Sequence, residues 1–222
     1  MRSPRCCLLA LPLLASAALA EPAPGTAPPP ALAAPAPAAS CVEGFEQTFP
    51  PNGWYVQQHN PRQTWVQGTS APHSGSAFAG VNYDDQSQVQ DEWLTTPLSD
   101  YHATLVLWSC GSPYWCRDTY DNCDLELYYA PVGASSILIA TLDSAWTGPS
   151  TWVQSVFDLA ALQLPAGLGH LSFRYVGLDG DLVGLDDIEF PNGCPLFGSG
   201  FETGDACDWD AMQPPCSLPL AP

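Results

Sequence analysis

Between residues 41 and 190 the chain is cut into short runs separated by Gly, Pro, Asn, Asp and Ser. The runs fall at 54–57, 64–67, 77–81, 92–95, 103–109, 125–129, 137–142, 152–157, 171–176 and 183–190. Many alternate apolar and polar residues. In DLELYYAP, Leu125, Leu127 and Tyr129 share one face while Asp124, Glu126 and Tyr128 share the other. Leu171, Phe173 and Tyr175 alternate in the same way. Successive side chains of a strand point to opposite faces, so a period of two marks strands with one face in a core. Only residues 159–164 read as a helical turn. Many short strands with turn residues between them predict an all-β domain, a jelly-roll β-sandwich of two antiparallel sheets.

The flanks have a different composition. Residues 1–20 begin with Arg2 and Arg5, continue through an apolar run too short to span a bilayer, and end in Ala18-Leu19-Ala20. That is the pattern of a secretory signal peptide cleaved after Ala20. Residues 21–40 alternate Ala and Pro, which favours extended polyproline II and makes a linker. The domain is placed at 41–195 and a tail at 196–222. About 155 residues suffice to bury ~70% of their surface, so the disulfides harden a core that forms without them.

Charge narrows the partners. There is no lysine, and beyond the leader only Arg62, Arg117 and Arg174 oppose 23 acidic residues. Such a field repels phosphate backbones and anionic lipid heads. The mature chain is expected to take no nucleic acid and to insert into no membrane. Divalent cations are its natural complement. Of nine cysteines, Cys6 and Cys7 fall in the leader. The others are Cys41, Cys110, Cys116, Cys123, Cys194, Cys207 and Cys216. Export makes disulfides the default, and the absence of a C-x-x-C pair speaks against zinc. An odd number leaves one thiol free or paired outside the chain. The pairing of Cys110, Cys116 and Cys123 stays open at this point.

An ordered set of short motifs is more specific. Cys41-Val42-Glu43-Gly44-Phe45-Glu46 leads into Pro51-Asn52-Gly53-Trp54. Then come HSGSAFAGV (Ser74-Gly75), Trp93-Leu94-Thr95-Thr96-Pro97, Trp152 with Phe157-Asp158-Leu159, Phe173-Arg174-Tyr175 and Gly184-Leu185-Asp186-Asp187-Ile188. This order resembles the choice-of-anchor J, or cleaved-adhesin, domains of secreted bacterial proteins, and is similar to the MAM domains of animal cell-surface proteins. The resemblance implies a jelly roll used in adhesion or in recognition of carbohydrate or protein, with a structural calcium. It also implies a Cys41–Cys194 disulfide. The tail LFGSGFETGDACDW resembles a C-terminal signature of exported proteobacterial proteins, with Ser199 where Asp usually stands. Cys207 and Cys216 are close enough in sequence to close a small loop.

Calcium takes six to eight oxygen ligands. Glu46, placed on the first strand, and Asp187, on the last, are the leading pair, because terminal strands of a jelly roll can be neighbours. Asp186 ranks lower, since adjacent strand residues face opposite sides. Asp84 and Asp85 in VNYDDQSQ are the next candidates. Asp179-Gly180-Asp181 reads as a turn, lacking the further acids of a calcium loop. Tyr114 and Trp115, in a loop bounded by cysteines, and Tyr120 just beyond offer flat faces for a sugar or a protein partner. Trp54, Trp65, Trp93, Trp108 and Trp152 are assigned to the core.

None of His59, His73, His102 and His170 lies in a GxSxG or HExxH motif. The chain is therefore expected to be a non-enzymatic binding module, secreted or on the cell surface, whose partner is an extracellular polysaccharide or protein. The alternatives are a surface-assembly protein displayed through its tail and a small exported hydrolase.

Overall fold

The computed structural model describes residues 41–190. The leader, the linker, the tail and Cys194, Cys207 and Cys216 lie outside the described residues. Eleven strands run in order: β1 (Cys41–Glu43), β2 (Tyr55–Gln57), β3 (Val66–Gly68), β4 (Phe78–Val81), β5 (Gln90–Thr95), β6 (Thr104–Cys110), β7 (Cys123–Pro131), β8 (Ile137–Thr141), β9 (Val153–Asp158), β10 (Gly169–Gly177) and β11 (Val183–Phe190). They form two antiparallel sheets. One is ordered β3-β4-β11-β6-β9, with β1 also paired to β11; the other is β2-β5-β10-β7-β8. From β4 onward the chain crosses repeatedly from one sheet to the other. This is the expected β-sandwich.

The core is the set of inward positions of both sheets. On β7, Leu125, Leu127 and Tyr129 are fully buried, and on β10 so are Leu171, Phe173 and Tyr175. The period-two reading of both segments therefore holds. Phe45, Trp54 and Trp65 belong to the same core, Trp54 stacking on Phe173 with ring centroids 6.5 Å apart. Aromatic side chains bury large areas, and burying a Leu- or Phe-sized side chain stabilises by about 1.5–3 kcal/mol.

Among the described residues, helical structure is confined to a π-helical turn at Tyr114–Asp118 and a 3-10 turn at Leu142–Ala145. Segment 159–164 forms hydrogen-bonded turns, not a helix. The β1–β11 ladder pairs Cys41 with Phe190 and Glu43 with Ile188, so the opening and closing strands are neighbours, as expected. Among the described residues no helix is long and apolar enough to cross a membrane.

Candidate functional site

Where β1 meets β11, acidic side chains converge on the loop His73–Ser74–Gly75–Ser76–Ala77. Glu46 lies beyond the end of β1, not on it as its motif had placed it. There its Oε1 accepts the N–H groups of Ser76 (2.9 Å) and Ala77 (3.1 Å), and Oε2 accepts the Ser76 hydroxyl (2.6 Å). These donors hold its carboxyl below the usual range, the Ser76 side chain contributing most. Gly75 is at φ +57°, and a Cβ there would collide with the Glu46 carboxylate. The positive φ favours glycine at this turn, and a side chain here would push the Glu46 carboxylate off its donors.

From the other side, Asp186 Oδ2 accepts the N–H groups of His73 (2.9 Å) and Ser74 (3.2 Å). Asp187 Oδ2 lies 2.6 Å from His73 Nδ1, and Asp187 Oδ1 accepts the Ser74 hydroxyl at 2.9 Å. Strict alternation would have sent these two acids to opposite faces. The ladder between β11 and β6 slips between Asp186 and Glu189, and Asp187 adopts φ 44°. This bulge turns both carboxylates toward one loop, and bulges commonly re-aim side chains in this way. Ligand atoms of His73, Asp186 and Asp187 lie within 4.8 Å of one another. Burial raises the Asp186 carboxyl, and the neighbouring Asp187 adds to the rise. Burial also raises Glu43, with a further push from Asp186. The imidazole of His73 stacks on Trp108, centroids 3.7 Å apart. Ser74 donates to Asp187 rather than to His73, so these three do not form the relay of nucleophile, base and orienting acid that acyl transfer needs.

Asp84 and Asp85 are engaged elsewhere. Asp84 is fully buried; burial opposes its charge, but the Gln86 N–H, the Asn60 amide and Arg62 outweigh that and hold its pKa low. Asp85 is exposed and pairs with Arg62 at 3.0 Å. Arg62 thus faces both acids of this loop, and neither belongs to the group formed by His73, Asp186 and Asp187. Asp179-Gly180-Asp181 is a turn, with the Asp181 carbonyl accepting the buried Tyr175 hydroxyl at 3.3 Å.

The Cys110–Tyr120 region resolves the cysteine question in part. Cys116 and Cys123 are disulfide-bonded. Cys110 is a buried free thiol, and Cys41 is disulfide-bonded. The Cys116–Cys123 bridge closes a short loop that includes Tyr120, while Tyr114 and Trp115 lie just before it, in the π-helical turn to which Cys116 itself belongs. Trp115 stacks on Tyr120 at 4.5 Å and 17°, and Tyr114 meets both edge-on at 5.3 Å. Tyr114 and Tyr120 are each 49% exposed, so the three rings pack on one another rather than into the sandwich. Arg117 anchors the loop from below, its Nη1 donating to the carbonyls of Asp143 and Ser144 at 2.9 Å each.

The tryptophan assignments need correction. Trp54 and Trp65 are core, and so is Trp146, which sequence reasoning did not single out. Trp108 and Trp152 are only partly buried and flank His73. Trp93 is not core. Leu94 and Glu92 take the inward positions of β5, which leaves Trp93 on the outer face of the five-stranded sheet. There it packs against Tyr128 at 5.3 Å, with the Arg174 guanidinium 5.2 Å from its ring centre. Arg174 is clamped by both Asp91 oxygens (2.6 and 3.0 Å) and by Glu126 (3.0 Å). The period of two in Glu92-Trp93-Leu94 carried this information.

No family model matches the chain. It is 26% identical over 178 residues to hemagglutinin A of Porphyromonas gingivalis, strain W83, a match that covers 68% of this chain and 8% of that protein. The chain thus spans a small fraction of the relative's length. Among solved structures it is similar to the K2 cleaved adhesin domain of Lys-gingipain, with a TM-score of 0.53 and 18% identity over 68% of this chain and 99% of that domain. The K1 cleaved adhesin domain of Lys-gingipain from Porphyromonas gingivalis W83 aligns at 20% identity with a TM-score of 0.49, over 68% of this chain and 96% of that domain. The chain is therefore related in sequence to a bacterial hemagglutinin and shares the β-sandwich of a cleaved adhesin domain.

Proposed function

We propose that the protein is a secreted, non-catalytic adhesion module that binds extracellular carbohydrate or protein and is tied together by a structural calcium ion. The observation that carries the binding reading is the knot of Tyr114, Trp115 and Tyr120. Tyr114 and Tyr120 are half exposed, Trp115 is partly buried between them and the chain, and the knot is fixed by a disulfide and by Arg117. Rigid aromatics lose little conformational entropy on contact and are enriched among residues that dominate binding energy. The relatives named as hemagglutinin and adhesin favour the same reading. On an array of glycans and extracellular matrix proteins, the double substitution Tyr114→Ala/Trp115→Ala is expected to remove binding. Unchanged binding by that variant would count against the knot as the contact surface.

The cation reading rests on donor chemistry. Glu46, Asp186 and Asp187 reach the 73–77 loop from two chain segments, their oxygens suit a hard cation, and Glu43 lies close by. Glu46 and Asp187 would hold the ion, Asp186 would complete the set, and His73 would orient Asp187. A bound calcium would neutralise the mutual repulsion of these groups. At a calcium concentration 100 times Kd, the native state gains about 2.7 kcal/mol. That corresponds to a rise in melting temperature of roughly 5–10 °C for a chain of this size. Asp187→Ala should abolish the rise. No shift with either calcium or chelator would remove the ion from the proposal.

A further inference from the structure

We propose that the outer face of the five-stranded sheet is a second binding site, built for a neutral polysaccharide and centred on Trp93 and Tyr128. The inference rests on the reading of the chain as a binding module and adds a site and a ligand class to it.

The ladders place two rows of side chains across this face. One row runs Tyr55, Thr95, Ser172, Tyr128 and the next Gln57, Trp93, Arg174, Glu126. In the first row two tyrosines flank two small residues, whose hydroxyls lie buried and 3.0 Å apart. Tyr55, at 48% exposure, stands three strands from Tyr128, a span of roughly 14 Å. In the second row Trp93 leans on Tyr128, leaving a partly exposed aromatic surface.

The polar groups around the rings are already fixed. Arg174 binds Asp91 through two nitrogens and Glu126 through a third, and the Tyr128 hydroxyl donates to Glu126 at 3.0 Å. Carboxylates have acceptor sites beyond these bonds. A cross-strand pair that merely steadied a sheet would need no such frame. Here immobilised carboxylates border a partly exposed aromatic surface on a rigid sheet. That combination suits a pyranose, whose C–H face packs on an aromatic ring while its hydroxyls donate to the carboxylates at the rim.

Charge selects the polysaccharide. Asp91, Asp124 and Glu126 outnumber Arg174 on this face, and the whole chain is strongly acidic. Uronate or sulfated chains would be repelled.

The test uses the full secreted chain in affinity electrophoresis and calorimetry with xylan, mixed-linkage glucan and mannan. Polygalacturonate and polylysine serve as counter-probes. At least one neutral polysaccharide should bind and polygalacturonate should not. Affinity should fall at least tenfold in both Trp93→Ala and Glu126→Gln; the latter keeps side-chain volume and guards against misfolding. Val156→Ala, on an exposed position of the other sheet, is the unaffected control. If a neutral polysaccharide binds W93A and E126Q as well as wild type, but not Y114A/W115A, the module reading stands and this site falls. Binding of polylysine alone, or of no polysaccharide, overturns the inference.

Discussion

Asp143 offers a sharp test of how the aromatic loop is held. It sits in the 3-10 turn after β8, 3% exposed, with Oδ1 accepting the Leu125 N–H at 3.2 Å. Its carbonyl is one of the two gripped at 2.9 Å by Arg117. Burial lifts its carboxyl from the ordinary aspartate range to about 6, with the Leu125 N–H and Arg117 only partly offsetting the rise. The folded chain therefore holds a proton here that the unfolded chain releases. The stabilisation is fully present below the unfolded pKa and is lost as pH rises through the folded pKa, so the window runs from about 4 to about 6. A shift of that size corresponds to about 3 kcal/mol at neutral pH. Asp143→Asn keeps an acceptor for Leu125 and removes the titration. In calorimetric melts the variant should match wild type near pH 4 and exceed it above pH 7, by roughly 6–12 °C. Parallel pH curves for the two proteins would show that Asp143 does not titrate as its burial requires.

Replacing both Cys116 and Cys123 with serine opens a short loop, and the chain-entropy estimate gives a loss of about 2–3 kcal/mol, to be read from the urea midpoint at constant m. An unchanged midpoint would mean that Arg117 and the ring stacking fix the loop without the bridge. Burial pushes the Cys110 thiol up to about 12, opposed by its bond with Gly184. Relative to Cys110→Ser, the wild-type chain should show one further thiol reacting with a disulfide reagent only in denaturant; reaction in the native state would contradict this burial.

Much of the fold could be read directly. The alternation in DLELYY assigned Leu125 and Leu127 inward and Glu126 and Tyr128 outward, as observed. The same rule applied to Glu92-Trp93-Leu94 would have set Trp93 on the open face. Its place in a strand motif points to the core instead, but local period is the better guide for a sheet with one free face. Asp186 and Asp187 show a real limit. Their convergence needs a bulge and a residue at positive φ, and the run Leu185-Asp186-Asp187-Ile188 holds no glycine or turn motif that announces either. The Cys116–Cys123 bridge was also hidden, because spacing does not select among several pairings. The Arg62 pairing with Asp84 and Asp85 joins residues more than twenty positions apart, beyond the reach of any local pattern.

The pairing of Cys41 with Phe190 bears on mechanics. A polypeptide enters and leaves this sandwich at nearly one point, so the unit can be threaded into a longer string as a bead without stretching its neighbours. Tension along such a string would arrive at the short β1–β11 seam, where Cys41 is held by a disulfide as well as by the ladder. The acids gathered at the 73–77 loop stand just behind that seam, where a bound ion would act as a clasp against unzipping.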